Sequence, residues 1–153
     1  MPLQPGDKAP DFTLIDQEGN SFTLSTSLKE RKVRHFIFFY PKADTPGCTT
    51  QACGLRDILG DIGDTAVLGI SPDKSAKQAK FDEKYGLGFP LLADEDHAVA
   101  EAYGAWGDKS MYGKTYQGII RSAFLIDDQG RVEQAWPKVS PKDTPANLLK
   151  SLG

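Results

Sequence analysis

The feature that most constrains the fold is a series of short, nearly continuous apolar runs that alternate with helical stretches. Four runs of the kind expected for strands buried on both faces lie at residues 33–40, 65–71, 89–94 and 118–127. Helical patterns lie at roughly residues 46–60, 73–85 (with Gly86 as C-cap), 96–103 and 143–152. Such alternation predicts parallel core strands joined by right-handed crossovers.

Two turn sequences predict antiparallel hairpins at the ends of the chain. Residues 16–20 (DQEGN) separate two β-prone runs, and residues 127–130 (DDQG) lead into a strand at residues 131–136. We therefore predict an α/β fold, a mixed central sheet flanked by helices with an N-terminal β-hairpin. The length suits one domain over residues 1–153.

Composition and charge exclude several classes of function. A net charge of -3 gives no reason to expect nucleic acid or an anionic membrane as partner. The first residues show no secretory signal, and no apolar run approaches the 18 or so residues of a membrane span. We therefore expect a cytoplasmic protein. Thiols stay mostly reduced there, so the two cysteines are predicted to be chemical rather than structural.

Cys48 lies where a helix is predicted to begin. In the stretch DTPGCTTQ, Thr45 suits the N-cap and Pro46 suits the first helical position, which places Cys48 third in the helix. Unpaired backbone N–H groups and the positive helix end favour thiolate over thiol at this position. We interpret Cys48 as an activated nucleophile. The alternative, a packing residue on the buried helix face, remains open because Ala52 and Leu55 follow at helical spacing.

Cys53 follows five positions later, too far along a wound helix for a disulfide. Helix geometry separates the two Cα atoms by roughly 8–9 Å, whereas a disulfide needs about 4.4–6.8 Å. Either the thiols never pair, or the first turns of the helix unwind. Gly54 and the neighbouring threonines weaken this helix by propensity, so we predict that it unwinds on oxidation.

Other uses of the two thiols fit the sequence less well. A zinc site needs about four ligands, and the two histidines are interpreted as a core side chain (His35) and a solvated helix residue (His97). The spacing of the cysteines also differs from the C-x-x-C motif of thiol–disulfide oxidoreductases. We therefore expect no metal, and no haem or flavin is needed if sulfur itself carries the electrons.

The segment YPKADTPGCTTQACGLRD resembles the active-site segment of peroxiredoxins, in which a Pro and a Thr or Ser precede the peroxidatic Cys. Pro41, Thr45 and Cys48 match this pattern, and Cys53 matches the bacterioferritin comigratory protein, or peroxiredoxin Q, group. Residues 106–127 resemble that group's second signature and supply Arg121. The resemblance covers almost the whole chain and implies a thioredoxin-like fold and thiol-dependent hydroperoxide reduction.

The resemblance also implies a role for each matched residue. Cys48 would become a sulfenic acid, Thr45 would hydrogen-bond the thiolate and peroxide, and Pro41 would shield the sulfur. Cys53 would condense with the sulfenic acid to form an intramolecular disulfide, which thioredoxin (or glutaredoxin) would reduce. Arg121 is predicted to lie within an apolar strand, where a buried guanidinium needs an acceptor such as the thiolate; a structural salt bridge is the alternative.

Some expectations remain alternatives. The aromatic segment at residues 104–118 forms either an active-site wall or partner surface, or a connecting loop that covers the sheet edge. Rival functions are a general thiol–disulfide oxidoreductase, a redox-sensing binding module and a chaperone-like holdase. Because both thiols lie in one chain, no assembly is needed to pair them, and we expect a monomer.

Overall fold

A computed structural model describes residues 3–152, apart from the side chain of Met111. The strands are β1 Thr13–Ile15, β2 Ser21–Thr23, β3 His35–Phe39, β4 Ala66–Ser71, β5 Leu91–Ala93, β6 Trp106–Met111, β7 Lys114–Ile119, β8 Ser122–Ile126 and β9 Val132–Trp136. The helices are α1 Leu24–Arg31, α2 Pro46–Asp57, α3 Ser75–Tyr85, α4 Ala98–Ala102 and α5 Thr144–Leu152, with a short 3₁₀ turn at Leu59–Asp61.

Seven strands form one mixed sheet in the order β2-β1-β5-β4-β3-β8-β9. The strands β3, β4 and β5 are parallel, as the alternating pattern predicts, and β1, β2, β8 and β9 add antiparallel neighbours. All five residues of β3 are buried because helices cover both faces of the sheet centre. Both predicted hairpins are confirmed, with Gly19 and Gly130 at positive φ in their turns.

The alternating side chains of β3 separate two apolar cores. Ile37 and Phe39 point into a core that also contains Leu24 of α1 and Ala100 of α4. Phe36 and Phe38 point the other way, into a core built with residues of α2, α3 and α5, namely Ala52, Leu55, Phe81 and Leu148. The helix that carries both cysteines is therefore anchored through one face to the centre of the sheet.

Several boundaries differ from the predictions. Helix α1 was not predicted, because Leu24 is its one buried residue and leaves no helical repeat to detect. The predicted helix at residues 46–60 ends at Asp57 and continues as the 3₁₀ turn. The predicted helix at residues 96–103 is shortened to α4, which follows His97 in a left-handed conformation (φ 52°).

The predicted strand at residues 118–127 is wrong in one respect that matters. It is two strands, β7 and β8, and Arg121 lies in the break between them rather than inside a strand. Residues 106–119, which precede Arg121, do not form a connecting loop. They form the β6–β7 hairpin, which turns at Tyr112 and Gly113, both with positive φ (53° and 78°).

Candidate active site

Cys48 lies at the start of α2, just beyond the carboxyl end of β3. Thr45 occupies the N-cap with extended backbone, and Pro46 begins the helix, as predicted. Helical hydrogen bonding starts with the N–H of Thr49, which donates to the carbonyl of Thr45 at 2.8 Å. The N–H groups of the first-turn residues before Thr49 therefore have no intrahelical acceptor and form the positive end of the helix dipole. Cys48 is 1% exposed.

The side chain of Thr45 makes a different contact from the one that its N-cap position suggests. Its hydroxyl donates to the carbonyl oxygen of Lys42 at 2.8 Å and does not cap the helix. The bond closes a tight turn in the loop at residues 41–45, which Pro41 begins as a half-buried residue. Thr45 is thus held beside the helix start by the loop itself.

Arg121 meets the thiol of Cys48 although the two residues lie far apart in sequence. Its Nη2 is 3.4 Å from Sγ of Cys48, and its Nη1 donates to Oε1 of Gln51 at 2.8 Å. Gly47 is explained by the same contact, because a Cβ there would lie 3.2 Å from Nη2 of Arg121 and 3.4 Å from Pro141. A guanidinium beside the sulfur is placed to stabilise negative charge on it.

Gln51 is a site residue that sequence reasoning missed. It is fully buried, accepts from Arg121 and donates through Nε2 to Oγ1 of Thr144 at 2.9 Å. Thr144 in turn donates to the carbonyl of Ser140 at 2.7 Å. One signal was available, since Gln51 lies three positions after Cys48 and therefore on the same helix face. The chain of hydrogen bonds joins α2, Arg121 and the start of α5.

The loop before Cys48 is held from the other side by the β4–α3 connection. Asp73 accepts from the backbone N–H of Ala43 at 2.6 Å and from the hydroxyl of Ser71 at 2.8 Å. Tyr40, at the end of β3, donates to Gln78 of α3, and burial raises the pKa of its phenol well above the usual range. The polar network explains how a loop rich in Gly and Pro keeps a defined position.

Cys53 is half-buried on the same continuous helix, and both thiols are free. The wound helix keeps them too far apart to bond, as the sequence predicts. Gly54 has a packing reason as well as a low helix propensity, because a Cβ there would lie 2.7 Å from Cγ of Pro145 in α5. Unwinding of α2 around Gly54 would therefore disturb its packing against α5.

The β6–β7 hairpin brings a further cation to the site. Lys109 lines an open cleft of about 680 Å³ together with Arg121 and residues that follow β9. Burial lowers the pKa of Lys109, Arg121 lowers it further, and Cys48 acts in the opposite direction.

The aromatic residues of this hairpin divide into packed and exposed ones. Trp106 stacks on His97 with ring centroids 3.7 Å apart, and the His97 side chain is 35% exposed at the N-cap of α4, so the interpretation of His97 as a solvated helix residue is only partly right. Tyr112 is 97% exposed and Tyr116 is 42% exposed. The prediction that His35 is a core side chain is confirmed, since it is fully buried and bonded to Ser27 and the carbonyl of Val33.

Comparisons with known proteins agree with this geometry. The profile of the AhpC/TSA family matches residues 5–135. Peroxiredoxin Bcp of Escherichia coli strain K12 is 50% identical over 137 residues, which cover 88% of this chain and 86% of that protein. The peroxidoxin BcpB structure from Mycobacterium tuberculosis superimposes with a TM-score of 0.85 at 34% identity, covering 98% of this chain and 96% of that one.

A structure of the bacterioferritin comigratory protein of Xanthomonas campestris superimposes with a TM-score of 0.84 at 35% identity. The match covers 92% of this chain and 89% of that one. Family profile, relatives and structures agree over most of the chain, and the thioredoxin-like fold of peroxiredoxins is confirmed. The chain therefore belongs to the AhpC/TSA family and is a peroxiredoxin of the Bcp and peroxiredoxin Q group, that is, a peroxidase.

Proposed function

We propose that Cys48 is the peroxidatic thiol of this enzyme. Its thiolate attacks one oxygen of the hydroperoxide, the O–O bond breaks, and the second oxygen leaves as water or alcohol after taking up a proton. The observation that carries the proposal is the guanidinium of Arg121, 3.4 Å from Sγ at a helix N-terminus. Arg121 stabilises the thiolate and the charge that develops on the leaving oxygen, and the free N–H groups at the helix start bind the attacked oxygen.

Thr45 and Pro41 complete the pocket in this proposal. The loop at residues 41–45 presents the Thr45 hydroxyl beside the helix start, where rotation away from the carbonyl of Lys42 lets it bond the peroxide. Pro41 keeps water from the sulfur. The near-complete burial of Cys48 supports a hydroperoxide rather than a protein disulfide as the oxidising substrate.

Cys53 acts as the resolving thiol in the second step. Its sulfur attacks the sulfenic acid of Cys48, water leaves, and an intramolecular disulfide forms. Because the wound helix separates the two cysteines, α2 must open first, which also exposes the disulfide to a reductant. We propose thioredoxin as that reductant, with glutaredoxin as the second candidate.

The setting of the enzyme is part of the proposal. Within residues 3–152, no helix is long and apolar enough to cross a bilayer. We propose a cytoplasmic enzyme that works as a monomer, with residues 1–153 forming one domain. Sedimentation equilibrium tests the oligomeric state against the chain mass of 16.7 kDa.

A coupled assay tests the function. Turnover of hydrogen peroxide or tert-butyl hydroperoxide is followed by NADPH consumption with thioredoxin and thioredoxin reductase. Cys48→Ser is expected to abolish the first turnover, whereas Cys53→Ser completes one turnover and stops as a sulfenic acid that dimedone traps. A Cys48→Ser variant that still consumes peroxide at the wild-type rate would refute the assignment.

The same preparations distinguish the nearest rival function. A general thiol–disulfide oxidoreductase reduces insulin disulfides without any peroxide. We expect no insulin reduction by the reduced enzyme, because the thiol of Cys48 is buried and disulfide exchange needs an accessible sulfur.

A further inference from the structure

The cleft beside the active site carries an excess of positive charge. Its charged lining residues are Lys109, Arg121, Lys138 and a single carboxylate, Asp108. Arg121 belongs to both places, because it lines the cleft and also lies 3.4 Å from Sγ of Cys48. A hydroperoxide whose O–O bond reaches the sulfur beside Arg121 can therefore place the rest of its structure in the cleft.

A pair of glycines positions Lys109 on the hairpin. Gly107 and Gly118 lie directly opposite each other in the β6–β7 pairing. A Cβ on Gly118 would lie 3.2 Å from Cδ of Lys109, and one on Gly107 would lie 2.9 Å from Cδ1 of Ile120. The bare backbone of this face thus accommodates the aliphatic part of Lys109 and the side chain of Ile120. Both side chains line the cleft.

Within residues 3–152, neither Lys109 nor Arg121 forms a direct ion pair with a carboxylate. The hydrogen bonds of the guanidinium go to a neutral amide and to the thiol. Asp108 is the one carboxylate that lines the cleft, and it forms an ion pair with neither cation. Two cations that line one cleft without a direct carboxylate partner repel each other, and a bound anion reduces that repulsion.

We propose that this cleft selects organic hydroperoxides that carry a carboxylate, with Lys109 as the main specificity-determining residue and Lys138 as its helper. The proposal rests on the peroxidase function of Cys48. The hydroperoxide group occupies the site beside Arg121, while the carboxylate binds the ammonium of Lys109. The chemical step is unchanged, so the carboxylate contributes binding energy and orientation only.

A matched pair of substrates tests the proposal. Cumene hydroperoxide is neutral, and its para-carboxylate analogue has the same reacting group with an added negative charge. The methyl ester of the analogue controls for size. The second-order rate constant of the first turnover is measured for each compound, and the ratio of carboxylate to ester is the readout. Any general effect of Lys109 on the thiolate affects both compounds equally and cancels in this ratio.

We expect the wild-type ratio to exceed one and to fall with added salt. Lys109→Gln should lower it by about fivefold, the upper end for a partly exposed ion pair. Asp108→Asn should raise the ratio, because it removes the one opposing charge. Lys114→Gln is the matched control, since Lys114 is exposed on the same hairpin but does not line the cleft.

The outcomes separate this proposal from the function on which it rests. A wild-type ratio of one, or a ratio that Lys109→Gln leaves unchanged, overturns the carboxylate site while hydrogen peroxide is still reduced. Failure of the wild-type enzyme to reduce hydrogen peroxide overturns the peroxidase assignment of Cys48 instead. An equal loss of ratio in Lys114→Gln and Lys109→Gln would also overturn the proposal, because it would reflect net charge rather than the cleft.

Discussion

Removing the hydroxyl of Thr144 is predicted to make α2 open more readily. In the closed structure this hydroxyl accepts from Nε2 of Gln51 at 2.9 Å and donates to the carbonyl of Ser140 at 2.7 Å. Thr144→Val keeps the shape of the side chain and removes both bonds. Ser140 is exposed, so water can replace the bond to its carbonyl. The amide of Gln51 is fully buried and loses a partner that water cannot replace.

The size of the shift toward open α2 follows from the cost of leaving the buried amide of Gln51 without its partner. Leaving a buried donor unsatisfied costs about 1–3 kcal/mol. The closed helix bears this cost, whereas an unwound α2 exposes Gln51 to water and does not. The equilibrium between closed and open α2 should therefore shift toward the open form by about 5-fold to 150-fold, since 1.4 kcal/mol corresponds to a factor of ten. Global stability should fall by the same free energy.

The assay measures the competition between disulfide formation and over-oxidation of Cys48. After the first turnover, the sulfenic acid of Cys48 either opens to meet Cys53 or reacts with a second peroxide to form a sulfinic acid. Reduced enzyme is exposed to increasing hydrogen peroxide, quenched in acid and analysed by mass spectrometry. The peroxide concentration that gives equal disulfide and sulfinic acid should rise in Thr144→Val by the factor calculated for opening.

Two controls make the result interpretable. Thr115→Val, at an exposed position of β7, should leave unchanged the peroxide concentration that gives equal disulfide and sulfinic acid. The rate of the first turnover must be measured separately, because Gln51 also positions Arg121. Thr144→Val could lose stability in urea and yet form the sulfinic acid of Cys48 at the same peroxide concentration as the wild type. In that case α5 does not restrain the opening of α2, and the reasoning is refuted.

Three further predictions concern other contacts. Arg121→Lys should lower the rate of the first turnover by about 100-fold with an unchanged circular dichroism spectrum, because an ammonium cannot keep both guanidinium bonds. A loss below threefold would contradict the role of Arg121 in stabilising the charge at the reacting atoms. Gly54→Ala should lower the free energy of unfolding in urea by about 1 kcal/mol, since the new Cβ meets Pro145. Adding Pro145→Ala should restore the lost stability. If it does not, the contact with Pro145 is not the cause of the loss. Burial lowers the pKa of His35 from 6.5, so the unfolded chain binds a proton there more readily, and the free energy of unfolding should fall as pH drops below about 6.5. His35→Gln should flatten that dependence, and an unchanged slope would point to other groups.

The sequence predicts those parts of the fold that are determined by adjacent residues alone. The strand β3 is apolar throughout because both its faces are covered, so its pattern could not be mistaken for a half-exposed strand. The start of α2 was predictable from Thr45 and Pro46, because the residue preferences at a helix start involve only a few adjacent positions, even though the Thr45 hydroxyl does not cap the helix. The predicted mixed sheet with parallel core strands follows from the order of such elements.

Other features were hidden because they depend on contacts between distant residues. The break at Arg121 interrupts an apolar stretch that reads as one strand, and the chain turns there to place the guanidinium against Cys48. Gln51 reads as an ordinary polar helix residue until Thr144, 93 positions away, is brought beside it. Lys109 was overlooked because its position in the cleft depends on the pairing of Gly107 with Gly118.

The central claim is that Cys48 and Cys53 form a disulfide after one reaction with peroxide, which requires α2 to open. The most direct test treats the reduced protein with one equivalent of hydrogen peroxide, blocks free thiols and digests it with trypsin. Residues 43–56 are released as one peptide that carries both cysteines. We expect this peptide to lose two hydrogens in the wild type and to keep them in Cys48→Ser. A wild-type peptide that retains two free thiols, both blocked after prompt exposure to peroxide, would contradict the account.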